Sequence, residues 1–154
     1  MIEVASELRA EIESALPRLR RLTEADVTRN RGSEKWIKKE ILGHLIDSAA
    51  NNHQRFVRAQ GSDPFVGPGY DQRAWVSMHG YRDRAWSELL DLWAALNRQV
   101  ACVMAAVPPE RLQMAVAYGG AAAALPGSAL PIPAQIDLNA VRVNPIAPNT
   151  KVSP

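Results

Sequence analysis

The sequence predicts an all-α antiparallel helical bundle in which three long helices are visible and an irregular tail stands where a fourth would be. Three observations carry that prediction. Apolar residues recur every three or four positions in three separate segments, the mark of helices with one buried face. No stretch sustains the alternation at period two that a half-buried strand requires. Beyond residue 112, helical pattern and charge stop together.

The first helix is marked by Val4, Leu8, Ile12, Leu16, Leu19 and Leu22, a single apolar stripe. Pro17 lies inside that pattern and predicts a kink or a boundary. A polar connection over residues 23–35 follows, with Arg31-Gly32-Ser33 as turn chemistry. The second helix is expected over residues 36–60, with Ile41, Leu45, Ala49, Phe56 and Val57 facing inward. Gly61-Ser62-Asp63-Pro64 ends it, and Gly67-Pro68-Gly69 keeps the next stretch a loop. A short helix is expected over residues 71–77. The third long helix carries Trp86, Leu89, Leu90, Trp93, Leu96, Val100 and Val103 and ends before Pro108-Pro109.

Composition divides the chain at the same point. Residues 1–112 hold 31 of the 34 charged side chains, and the last 42 residues keep only Asp137, Arg142 and Lys151. That tail contains ten Ala, six Pro and three Gly, a density of proline that forbids a helix of useful length. The expected organisation is a bundle over 1–112 and an Ala/Pro-rich irregular segment over 113–154. So abrupt a break is what a change of reading frame after Leu112 or Met114 would leave.

The chain-wide numbers exclude several classes. A net charge of +2 makes long-range electrostatics a poor route to a partner. No run of apolar residues is long enough to span a membrane, and residues 1–7 lack the basic start and apolar core of a secretory signal. The single cysteine, Cys102, rules out an internal disulfide and a multi-cysteine zinc site. A cytoplasmic protein is expected.

Six polar residues of the second helix, Glu40, His44, Asp47, Ser48, Asn51 and Arg55, lie within roughly 60° of His44 when the chain advances as a helix. They form one stripe along the edge of the apolar face. Such a stripe lines a site between bundle helices, or it is a solvated edge tied by i,i+4 hydrogen bonds and ion pairs. His53 falls on the opposite side of the helix and cannot share a metal with His44. His79 is expected in a loop without a paired ligand. No Walker A, H-E-x-x-H or G-x-S-x-G pattern occurs.

The segment Gly43-His44-Leu45-Ile46-Asp47-Ser48, with Pro68-Gly69-Tyr70-Asp71-Gln72, Trp75-Val76, Gly80-Tyr81 and residues 86–97, resembles the DinB-like (YfiT-like) superfamily over about residues 1–112. Ile37 departs from it, because relatives tend to place a capping Ser there. The resemblance implies a DinB-like four-helix bundle, often a homodimer, holding a divalent metal such as nickel or zinc on three histidines. It also implies transfer of a low-molecular-weight thiol onto an electrophilic small molecule. His44 matches the first metal ligand. The other two would sit on the fourth helix, yet this chain has no histidine after His79. Asp47, Asn51 and Arg55 are then the candidates for supporting His44 or orienting a thiol cofactor.

Two further classes stay open. One is a metal-free dimeric interaction module or inactive remnant, in which the His44 stripe is a hydrogen-bonded interface. The other is nucleic-acid binding, since residues 16–39 hold eight Arg and Lys against three acids, with Arg18, Arg20, Arg21, Lys38 and Lys39 as contacts. A cluster of that kind is ordinarily a solvated face.

Overall fold

The computed structural model describes residues 1–30, 32, 35–61, 65–67, 69–108, 111, 116–118 and 121–123. In chain order the elements are α1 (Ile2–Leu19), α2 (Glu24–Thr28), α3 (Lys38–Gly61), β1 (Phe65–Gly67), α4 (Gln72–His79), a 3-10 turn (Tyr81–Asp83), α5 (Trp86–Ala105), β2 (Val116–Tyr118) and β3 (Ala121–Ala123). Among the described residues no helix is long and apolar enough to cross a membrane.

Helix α5 is the axis of the bundle, packed against α1 on one side and α3 on the other. A central helix needs a wide apolar surface, and α5 buries Trp86, Leu89, Leu90, Trp93, Ala94, Val100, Ala101 and Met104. Helix α1 supplies Ala5, Leu8, Ile12, Ala15, Leu16 and Leu19. It runs through Pro17 and ends two residues later, so the proline marks a boundary. Helix α3 adds Leu42, Leu45, Ile46, Ala49 and Phe56, whereas Val57, expected inside, is 46% exposed.

Specific contacts fix the direction of each helix. The Trp86 indole N–H donates to the Leu19 carbonyl at 2.9 Å, and Arg98 pairs with Glu13, so α1 and α5 are antiparallel. By contrast, α3 and α5 start at the same end of the molecule. Buried Lys39, in the first turn of α3, donates to the Arg84 carbonyl just before α5 at 2.7 Å and pairs with Glu24 at 2.7 Å. The other Glu24 oxygen accepts the Trp86 backbone N–H at 3.0 Å, placing negative charge at the N-terminus of α5. These two contacts, the hydrogen bond from Lys39 before that from Trp86, hold the Glu24 carboxyl below the usual carboxylate range. One ammonium thus ties together α2, α3 and the entry to α5. Lys39 is therefore not on any basic surface available to nucleic acid.

Because α3 and α5 start together, the segment between them must return along the bundle. It carries α4 and the 3-10 turn back beside α3. Within the connection over residues 23–35, the structure adds α2, closed by a capping box in which Thr23 and Asp26 satisfy each other's backbone N–H. The short helix expected at 71–77 is α4, capped by Asp71 and stopped by Gly80 in the left-handed conformation (φ 60°).

The three strands form one small sheet in the order β1-β2-β3, with β1 parallel to β2 and β2 antiparallel to β3. Each spans three residues, too few to show alternation in the sequence. Two of them lie in the segment expected to be irregular. The missing fourth helix and the tail beyond residue 123 fall outside the described residues.

Candidate active site

The return of the chain from α3 to α5 brings three aromatic residues and a histidine onto the polar stripe of α3. Asp47 is at the centre, 2% exposed. Its Oδ1 accepts the Tyr81 hydroxyl at 2.6 Å and lies 2.8 Å from His79 Nδ1, while Tyr81 Oη and His79 Nδ1 are 3.1 Å apart. His79 ends α4 and Tyr81 opens the 3-10 turn, so the tight left-handed turn at Gly80 sets both against one carboxylate.

Tyr81 can approach because residue 43 is a glycine. A Cβ at Gly43 would lie 2.0 Å from the Tyr81 ring. The phenol is buried at 4% exposure, and burial first, then the hydrogen bond and charge of Asp47, raise its pKa far above that of an ordinary tyrosine.

His44 is one turn before Asp47 and half-buried. Its Nδ1 and the second Asp47 oxygen, Oδ2, are buried without a hydrogen-bond partner among the described residues. The His44 ring packs at 5.3 Å from Trp36. Burial pushes the imidazole below the usual histidine value, and the charge of Asp47 acts in the other direction. Tyr70 and Trp75 complete the aromatic cluster: their rings are 4.6 Å apart, and Trp75 meets His79 edge-on at 5.8 Å. The Tyr70 phenol is raised by burial and by Asp47, with Arg55 and Ser48 opposing.

The stripe therefore divides. Its N-terminal half faces the cluster: Glu40, His44 and Asp47 engage groups from the crossover or lie beside them. The C-terminal half turns back on its own helix. Asn51 donates to the Asp47 backbone carbonyl at 2.9 Å, Asn52 to Ser48 at 3.4 Å, and Arg55 to Asn52 at 3.3 Å. His79, Tyr81, Tyr70 and Trp36 are the residues that sequence reasoning missed. The available signal was Gly80-Tyr81 beside His79, with the glycine at 43, but only the crossover puts the two segments together.

The side chains do not fit a three-histidine metal centre. His44 Nδ1 and Asp47 Oδ2, one turn apart on α3, are two buried donors without a hydrogen-bond partner among the described residues. However, no three His, Cys, Asp or Glu side chains converge among the described residues. Of the chain's other two histidines, His53 is on the far side of α3, and His79 has its Nδ1 engaged by Asp47 and Tyr81, which leaves only Nε2 for another partner.

A family model described as the DinB superfamily matches residues 7–130. The chain belongs to that superfamily. The match extends past residue 112, where the quoted motifs end, and includes both strands of the C-terminal segment. Among solved structures, this DinB chain is similar to YfiT from Bacillus subtilis, described as a probable metal-dependent hydrolase with an unusual four-helix bundle topology. The match has a TM-score of 0.65 at 16% identity and covers 75% of this chain and 66% of that one. At that identity the likeness shows the fold: a DinB four-helix bundle. No curated protein matches the chain.

Proposed function

We propose that this DinB bundle transfers a low-molecular-weight thiol onto electrophilic small molecules, with His79 as the general base and Asp47 as its anchor. The observation that carries the reading is the 2.8 Å contact between Asp47 Oδ1 and His79 Nδ1, braced by Tyr81. A carboxylate holding Nδ1–H fixes the tautomer and leaves Nε2 as the basic nitrogen. His79 is 47% exposed, so a small molecule can reach it, whereas its anchor is fully buried.

In the reaction, His79 Nε2 takes the thiol proton and the resulting thiolate attacks the electrophilic carbon. A carbon–sulfur bond forms as the bond to the leaving group breaks, and the leaving group keeps the electron pair. Asp47 stabilises the imidazolium until the proton passes to water. Trp36, Tyr70 and Trp75 supply the apolar wall for the acceptor. The family resemblance supports the thiol and the electrophile; the contacts among Asp47, His79 and Tyr81 support the acid–base route.

The test is the reaction of glutathione with 1-chloro-2,4-dinitrobenzene, followed by thioether absorbance. Turnover is expected to survive a chelator and to fall by about 100-fold in His79→Gln, within the range for loss of a general base. No turnover, or turnover that His79→Gln retains, would refute the proposal. Tag-free protein exposed to nickel and zinc provides the second arm. About one tightly held ion per chain, lost in His44→Ala together with activity, would replace acid–base catalysis by the metal-dependent form.

A further inference from the structure

Trp36 also lines a concavity outside the Asp47 cluster. It is a polar cleft of about 400 Å³ between the end of the α2 connection, the start of α3, α4 and the 3-10 turn. Among the described residues its walls carry three cations, Lys35, Arg73 and Arg82, against one acid, Glu40. Glu40 is already committed. Both oxygens engage the Arg82 guanidinium at 3.0–3.2 Å, and Oε2 also accepts the Ile37 backbone N–H at 2.9 Å. Lys35 and Arg73 have no acidic partner among the described residues. Two positive charges are left facing a cleft of a size that suits a small molecule.

We infer that this cleft binds the carboxylate or phosphate group of a small molecule, held by Lys35 and Arg73, with Arg82 neutralising Glu40. Trp36 lines the cleft and its ring also packs 5.3 Å from His44, so one side chain touches both the cleft and the cluster. A ligand anchored by its anionic end would present its other end past Trp36 to His44 and His79. That alignment rests on the thiol-transfer reading; binding in the cleft does not. The arrangement divides labour, with affinity from charge at one end and chemistry at the other.

The test is calorimetric titration of the full chain with phenyl phosphate, benzoate and phenol. Both anions are expected to bind and phenol is not, with affinity falling several-fold as sodium chloride is raised from 50 to 500 mM. Arg73→Gln and Lys35→Gln, both exposed changes, should each weaken binding at least fivefold. Glu40→Gln should strengthen it several-fold, because it removes a negative charge from the cleft and releases Arg82. Binding unchanged in Arg73→Gln and Lys35→Gln, binding weakened in Glu40→Gln, or phenol binding as well as the anions would overturn the inference. His79→Gln should leave binding intact while turnover falls, which separates failure of the cleft from failure of the acid–base centre.

Discussion

Burial of His44 gives the protein a defined acid response. The folded chain holds this imidazole below its ordinary value of 6.5, so the unfolded chain takes up a proton first as pH falls. Stability linked to His44 is present above about pH 6.5 and declines as pH drops through the folded value. Tyr81 acts at the other limb. Its folded pKa is raised above 10, so its contribution is present below about pH 10 and is lost as pH rises further. Urea titrations should show the acid slope shallower in His44→Gln and the alkaline slope shallower in Tyr81→Phe. Tyr81→Phe should also cost about 1–3 kcal/mol at neutral pH, because buried Asp47 loses a donor. Equal slopes in wild type and variants would contradict these assignments. The sequence revealed His44 and Asp47 through helical spacing, a local property. The partners of Asp47, His79 and Tyr81, are 32 and 34 residues away in the chain, beyond the reach of any local pattern.

At the level of elements, the first two turns of α3 join helix geometry to the site. Gly43 sits in a helix interior, where alanine would ordinarily gain about 1 kcal/mol. Here the added methyl would meet the Tyr81 ring at 2.0 Å, and overpacking of that kind costs about 1–3 kcal/mol. Gly43→Ala should therefore lower the urea midpoint and, by displacing Tyr81 and the turn beside it, reduce turnover as well. A stabilised, fully active variant would show that Tyr81 is not held against α3 in this way. Ile37 tests the same helix start from the other side. It is only 3% exposed, and Glu40 already satisfies its N–H. A capping serine would contribute about 1 kcal/mol, less than the roughly 1.5–3 kcal/mol lost with the buried side chain. The departure from the family pattern is thus locally favourable. Helix positions were legible because each long helix writes its own periodicity. The capping box at Thr23 and Asp26 reads in the sequence only as part of a polar connection, because it closes a helix of five residues with a single buried apolar residue, Val27, and no stripe announces it.

For the whole molecule, the decisive feature is the shared starting end of α3 and α5, which no periodicity encodes. Amphipathic stripes specify that helices pack, not the direction in which a long connection returns them. The same return puts β1 where β2 can pair with it, Phe65 opposite Val116 and Gly67 opposite Tyr118. We propose that the bundle extends to near residue 130, where the family match ends, although charge disappears after residue 112. Three chains would decide this: the full sequence, one ending at residue 130 and one ending at Leu112. The chain ending at Leu112 loses β2 and β3 and the backbone hydrogen bonds they make, each worth about 0.5–1.5 kcal/mol net. It should unfold about 1–3 kcal/mol more easily than the full chain, while the chain ending at residue 130 should match it. If all three share one urea midpoint, the sheet adds nothing to the bundle and the change of composition at residue 112 is its true edge. If the chain ending at residue 130 is also destabilised, the Ala/Pro-rich segment itself covers part of the core. In either case the comparison measures how far a segment that looks foreign in composition has become part of a DinB fold.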